Sequence, residues 1–177
     1  MHDDMVRRLE SLIVTVPDFP KAGIQFRDFT PMLADARALA LAVELMANPY
    51  RGKGVTTVVG AESRGFIFGT AIAQALSAGF VPVRKGGKLP RKTVGVSYQL
   101  EYGTDRLEIH ADAVGKDQRV LIVDDLLATG GTLKACCEMI AGTGATIAGI
   151  TVLIELPALH GRDKVASFGN VHSVLRY

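Results

Sequence analysis

The chain has 177 residues, 48% of them hydrophobic and 21% charged, with a formal net charge of +2 at pH 7. That length fits one domain able to bury roughly two-thirds of its unfolded surface, and the composition is that of a soluble globular protein. The near-neutral charge gives no ground for a nucleic-acid or membrane partner, no apolar run approaches the ~18 residues of a membrane span, and MHDDMVRRLE has no signal-peptide pattern.

Met5, Leu9, Leu12, Ile13 and Val16 recur at helical spacing behind the capping candidates Asp3 and Asp4, which predicts a first helix ending at Pro17. PDFPKAGIQFRDFTP follows, with three prolines, a glycine and three phenylalanines, and reads as a loop unusually rich in aromatics. A second helix is expected from near Asp35 through ARALALAVELMA to Asn48-Pro49. VTTVVG (55–60) is a β-branched strand that ends in AESRG, and the alanine-rich FIFGTAIAQALSAG is the helix after it. FVPV (80–83) is a short strand.

The next segment, 84–106, breaks the rhythm. Five of its first nine residues are cations (Arg84, Lys85, Lys88, Arg91, Lys92), mixed with Gly86, Gly87 and Pro90, so a β-hairpin or a mobile lid is expected. VLIV (120–123) is a strand followed by DDLLATGGT and a helix through KACCEMIAG. Cys136 and Cys137 are neighbours in that helix and point in different directions, which argues against a mutual disulfide or shared metal and for buried small side chains in a reducing compartment. ATIAGITVLIE (145–155) is a further strand.

Continuous apolar strands alternating with helices predict an α/β fold with a mostly parallel sheet covered on both faces. Ligands of such sheets bind beyond the carboxyl ends of the strands, where AESRG and DDLLATGGT both lie. No repeat, linker or low-complexity tract divides the chain, so residues 1–177 are expected to form one domain. His2, His110, His160 and His172 form no cluster and receive no role.

In DDLLATGGT, Ala128, Thr129, Gly130, Gly131 and Thr132 fall at a helix N-terminus. Backbone N–H groups and the positive dipole end point outward there, and glycines let an anion approach closely. A phosphate monoester suits that loop. A plain strand–helix turn with a Thr cap would account for Thr132, but not for two glycines preceded by two acids. Asp124 and Asp125 cannot serve the same phosphate, because like charges repel; they need a cation or hydroxyl groups. A sugar phosphate answers both demands, and Mg²⁺ chelated by a diol and a diphosphate would also suit the acids. The Walker pattern fails, since Gly131 is followed by Thr132-Leu133. Gly142, Gly144 and Gly149 follow a helix and precede a strand, the wrong order for a dinucleotide fingerprint, and read as helix-terminating glycines. At the other loop, Glu62, Ser63 and Arg64 stand near a second helix N-terminus. That set would hold a diphosphate, with Arg64 capable of bidentate contact; a surface Arg–Glu pair is the alternative. The cations from Arg84 to Lys92 could close over the same anion or form a solvated basic loop.

VLIVDDLLATGGTL (120–133) resembles the phosphoribosyl diphosphate (PRPP) binding motif of type I phosphoribosyltransferases. PDFPKAGIQFRDFTPML (17–33), AESRGFIFG (61–69), RKGGKLP (84–90), YQLEYGTDRLEIH (98–110) and IELPALHGR (154–162) resemble the adenine phosphoribosyltransferase family in the same order, over nearly the whole chain. The resemblance implies the type I phosphoribosyltransferase fold, a central mostly parallel sheet flanked by helices. It adds an N-terminal base-recognition hood (1–34) and a flexible catalytic loop (84–106). It further implies a cytoplasmic homodimeric glycosyltransferase of purine salvage, condensing adenine with PRPP in the presence of Mg²⁺ to give AMP and diphosphate.

By that resemblance Ala128 to Thr132 bind the 5′-phosphate, and Asp124 and Asp125 face the ribose hydroxyls with the Mg²⁺ carried by PRPP nearby and no direct protein metal site. Glu62, Ser63 and Arg64 hold the diphosphate, in relatives around a non-proline cis peptide. Arg84, Lys85 and Lys88 supply further cations, with Arg84 able to reach across a dimer interface. Phe26 stacks on adenine, the backbone of Gln25 and Arg27 reads its edge, and Leu159 covers its other face. For Phe19, Phe26 and Phe29, simple core packing is the competing reading. Glu101 is the expected catalytic residue, exchanging a proton near N7 while N9 bonds to the ribose, and Tyr102 orients the adjacent pocket. Two other readings compete: a transferase for another purine base, and a non-catalytic PRPP or purine sensor. The sensor reading suits a chain that lacks the acids or the basic loop or that adds a DNA-binding segment, and Asp124, Asp125, Glu101 and the basic loop are all present.

Overall fold

A computed structural model describes residues 2–99 and 104–177. In chain order the elements are α1 (His2–Glu10), β1 (Val14–Pro17), β2 (Gln25–Asp28), α2 (Thr30–Ala34), α3 (Ala36–Ala47), β3 (Thr57–Ala61), α4 (Gly65–Ala75) and β4 (Gly79–Lys85). They continue with β5 (Thr93–Gln99), β6 (Thr104–His110), β7 (Arg119–Leu127), α5 (Gly131–Gly142), β8 (Thr146–Glu155), α6 (Gly161–Val165) and β9 (Val171–Arg176).

Among the described residues, seven strands form one sheet in the order β5-β6-β4-β3-β7-β8-β9. The β4-β3-β7-β8-β9 part is parallel, and the β5-β6 hairpin joins β4 antiparallel through Arg84↔Glu108 and Lys85↔Leu107. Both faces of the central strands are apolar because both are covered. Along β7, Val120 and Ile122 pack with Leu133, Cys136 and Ile140 of α5, while Leu121 and Val123 pack with α3 and α4 through Ala42, Met46, Phe68 and Ile72. Each large side chain buried this way contributes on the order of 1.5–3 kcal/mol. Cys136 and Cys137 are both buried and free, and burial pushes their thiols up, to about 12 for Cys137.

Three sequence expectations change. The first helix stops at Glu10, not Pro17: Ile13, Val14, Thr15 and Val16 are β-branched, and Val14–Pro17 pairs antiparallel with Gln25–Asp28 inside the supposed loop. Gly149 terminates no helix. It lies within β8 at φ +153, beside a register shift against β7, where a Cβ would stand 2.6 Å from the Tyr50 ring. The Tyr50 hydroxyl donates to Ile150 O at 2.8 Å, so this irregularity seats a buried phenol. Lastly, β9 extends the sheet past β8 where the sequence carried no strand signal; its partly polar VHSVLR shows no continuous apolar run. The second helix starts as expected, with Asp35 accepting from the N–H groups of Arg37 and Ala38. Segment 84–106 resolves towards a hairpin, with Thr93↔His110 through Gln99↔Thr104 paired.

Candidate active site

β3 and β7 run parallel and deliver their loops to one edge of the sheet. There, a cavity of about 200 Å³ is lined by Glu62, Arg64, Asp124, Asp125 and residues 126–133. Ala128, Thr129, Gly130, Gly131 and Thr132 all belong to its wall. Gly130 adopts φ +79, the left-handed region that glycine tolerates, and turns the chain into α5. No side chain caps this 12-residue helix, so its first-turn N–H groups have no side-chain acceptor of their own. Helix α4 approaches equally closely. A Cβ at Gly65 would lie 2.9 Å from Val123 O and 3.0 Å from Asp124 Oδ1, so glycine there lets the second loop sit over the tip of β7.

Asp124 and Asp125 are 8% and 2% exposed. The Asp125 N–H donates to Asp124 Oδ1 at 2.9 Å. Arg64 Nε lies 2.7 Å from Asp125 Oδ2, an ion pair by distance, but the contact is not aligned as a hydrogen bond and Oδ2 is buried without a donor. Burial, then the neighbouring Asp125, holds the Asp124 carboxyl well above the usual carboxylate range. Burial raises Asp125 as well, with Arg64 opposing it. Two such acids titrate as a pair. Oxygen donors with unused capacity fit a hard cation such as Mg²⁺ or the hydroxyls of a diol. Among the described residues no group of three His, Cys, Asp or Glu stands together as a metal cage.

The second loop is already internally paired. The Glu62–Ser63 peptide is cis, and Ser63 and Arg64 are exposed. Arg84 donates to Glu62 through Nε at 3.0 Å and Nη2 at 3.4 Å, and the Lys85 N–H donates to Glu62 at 2.8 Å. The Arg84 hydrogen bond holds the Glu62 carboxyl below its ordinary range. Lys85 Nζ lies 3.3 Å from Asp105, while the nearby charge of Lys88 acts on Glu62 as well. The surface Arg–Glu pair considered for this loop is not the one formed: Arg64 reaches Asp125, and Glu62 takes Arg84 from β4 instead.

A second cavity, of about 130 Å³, is lined by Ile24, Gln25, Phe26, Arg27, Phe29, Arg64, Asp125, Leu126 and Leu156. It shares Arg64, Asp125 and Leu126 with the first. Phe26 meets Phe19 edge-on at 5.2 Å, and the Arg27 guanidinium lies over the Tyr177 ring at 4.3 Å and donates to Thr15 Oγ1. Phe29 is the core residue of the three, buried and tilted against Phe68 at 5.8 Å. Leu159 stands 44% exposed in a 3₁₀ turn outside this lining, and the wall from that segment is Leu156, three residues earlier in the same sequence block. Sequence reasoning also passed over Tyr98, whose burial raises its phenol while Thr132 of the first loop acts in the opposite direction. Its place in the tyrosine- and glycine-bearing stretch beside Glu101 was the available signal. Glu101 and Tyr102 themselves lie outside the described residues.

The phosphoribosyl transferase domain family matches residues 31–170. The adenine phosphoribosyltransferase of Francisella philomiragia is 55% identical over 171 residues, 96% of this chain and 97% of that protein. The solved adenine phosphoribosyltransferase of Rhodothermus marinus superposes with a TM-score of 0.93 at 48% identity, covering 99% of each chain. The enzyme of Giardia lamblia, solved in complex with 9-deazaadenine, superposes at 0.91 with 40% identity and 97% coverage of each chain. With matches of this extent on both the sequence and the fold that forms the two cavities, the chain belongs to the adenine phosphoribosyltransferase family of phosphoribosyl transferase domain proteins.

Proposed function

We propose that the chain transfers the 5-phosphoribosyl group of PRPP to adenine, giving AMP and diphosphate. The observation that carries this reading is the pair of adjoining cavities. One has an uncapped helix N-terminus and two buried acids, the other an aromatic and aliphatic lining, and Arg64, Asp125 and Leu126 are common to both. A nucleoside monophosphate has the same order of parts: phosphate, diol-bearing ring, planar base.

In this reading Ala128 to Thr132 take the 5′-phosphate through backbone N–H groups and hydroxyls. Asp124 and Asp125 accept from the ribose hydroxyls, which supplies the buried Asp125 Oδ2 with its donor. Mg²⁺, when bound with PRPP, would offset the diphosphate charge and add attraction to these acids. Ser63 and Arg64 hold the diphosphate with Lys85 and Lys88. Arg84 joins them by exchanging Glu62 for the diphosphate, and Glu62 thereby keeps the cation in reserve. Phe26 stacks on adenine with Leu156 opposite, and the backbone of Gln25 and Arg27 reads the edge where the 6-amino group donates. Glu101 exchanges a proton with the purine while the ring nitrogen bonds to the ribose carbon, and Tyr102 orients the pocket beside it. Leaving-group charge then falls on the cations of the second loop.

The reading places the reaction in the cytoplasm; among the described residues no helix is long and apolar enough to cross a membrane. Family likeness supports a homodimer. A steady-state assay with adenine, PRPP and Mg²⁺ that follows AMP tests the reading, run in parallel with hypoxanthine and guanine. AMP formation with little product from the oxopurines is expected, and a preference for an oxopurine would overturn the choice of base.

A further inference from the structure

Two buried acids, Glu108 and Glu155, line neither cavity, and Glu155 is the one next to the first loop. Glu155 ends β8 at 1% exposure, and Arg162 grips it through Nε (2.8 Å to Oε1) and Nη2 (2.5 Å to Oε2). Ser173 Oγ donates to the same carboxylate at 2.6 Å, and Arg176 Nε lies 3.4 Å away. The Arg162 guanidinium also donates to Val171 O at 2.7 Å. Its planar fork is therefore fixed from two directions.

Arg162 follows Gly161, and Gly161 touches the phosphate loop backbone to backbone. A Cβ at Gly130 would stand 2.5 Å from Gly161 O; one at Gly161 would collide with Ala128 O and come within 2.9 Å of Gly130 N. Helix α6 spans only five residues, too short to hold that position through its own hydrogen bonds. On its other side Glu155 pairs in register with Leu127, and the Leu156 N–H donates to Leu127 O at 2.9 Å. The acid thus joins the strand that feeds the loop to the turn that backs it.

We propose that Glu155 and Arg162 form a positioning pair for phosphate recognition, holding Gly161 against residues 128–130 so that the loop keeps the curvature its anion needs. The inference rests on the assignment of that loop to the 5′-phosphate. Neither side chain touches the ligand. Their effect comes through placement, where a shift of about 1 Å can cost on the order of 100-fold in rate. A salt bridge that served stability alone would show no preference between the two substrates.

The test uses Glu155→Gln and Arg162→Lys, with Ser173→Ala as the comparison that removes one bond to Glu155 and a longer one from Arg162 but leaves the two-point Arg162–Glu155 contact in place. KM for PRPP, KM for adenine, the calorimetric Kd for ribose 5-phosphate and Tm are measured for each. In the first two variants KM for PRPP and Kd for ribose 5-phosphate should rise about tenfold or more, with KM for adenine within about twofold. Ser173→Ala should lower Tm without that split. Equal rises for both substrates, or an unchanged Kd for ribose 5-phosphate, would overturn the pair's role. Arg162→Lys keeps the charge opposite Glu155 and decides the matter if Glu155→Gln does not fold. A wild-type chain that made no AMP would sink the proposed activity, while the ribose 5-phosphate Kd, which needs no turnover, would still judge the pair.

Discussion

Asp124 and Asp125 lie side by side in the interior, with Arg64 at ion-pair distance from Asp125 and both carboxyls raised chiefly by burial. A carboxyl whose folded pKa exceeds its unfolded value costs stability as pH rises past the unfolded value, and the cost is complete above the folded one. Asp124→Asn should therefore raise Tm at pH 7, by an amount on the order of a few degrees, and change it little near pH 3, as thermal melts at both pH values would show. The same substitution should weaken Mg²⁺-dependent PRPP binding about tenfold by calorimetry, because it removes a charged acceptor from the ribose. Stability and binding then move in opposite directions, as expected at a site that keeps acids buried for a ligand. Glu101→Leu should lower kcat far more than it alters PRPP affinity; equal losses in both would mark the residue as structural.

The strand–loop–helix units around β3 and β7 carry the site, and the loops need particular backbones. Gly130 combines φ +79 with a 2.5 Å approach to Gly161 O. Gly130→Ala should lower Tm by about 2–8 °C in calorimetric scans, on the basis of about 1–2 kcal/mol for an L-residue held left-handed, and should weaken PRPP binding with it. Much of this was legible at the level of elements. VTTVVG, VLIV and ATIAGITVLIE read as strands because strands covered on both faces need continuous apolar runs, and the parallel sheet followed. The N-terminal region was misread for the opposite reason: Leu12, Ile13 and Val16 fit helical spacing, yet β1 forms because β2 is available to pair with it. The β-branched run Ile13 to Val16 was the trace this strand left in its own residues, and pairing with β2 gave it the deciding weight.

Across the whole molecule, β9 and α6 close the sheet beside the loop at 128–130 through Glu155. Its carboxyl is pulled down to about 2, the Arg162 hydrogen bond outweighing burial. The folded value lies below the unfolded one, so this contribution to stability is present at neutral pH and is lost as pH falls from about 4.5 towards 2. Urea midpoints of the wild type should drop across that window, and Glu155→Gln should flatten the drop.

The apolar strands at 55–60, 120–123 and 145–155, the helices that follow the first two, and the placing of two acids and a glycine turn at one strand tip are local properties of short stretches of chain, and the sequence by itself determined them. The tertiary structure alone decided that Arg84 rests on Glu62, that Leu156 rather than Leu159 faces the second cavity, and that Gly161 backs Gly130. Each of those contacts joins segments whose approach is set by sheet register and by packing of one element on another. Neither quantity is encoded in the periodicity of any single segment.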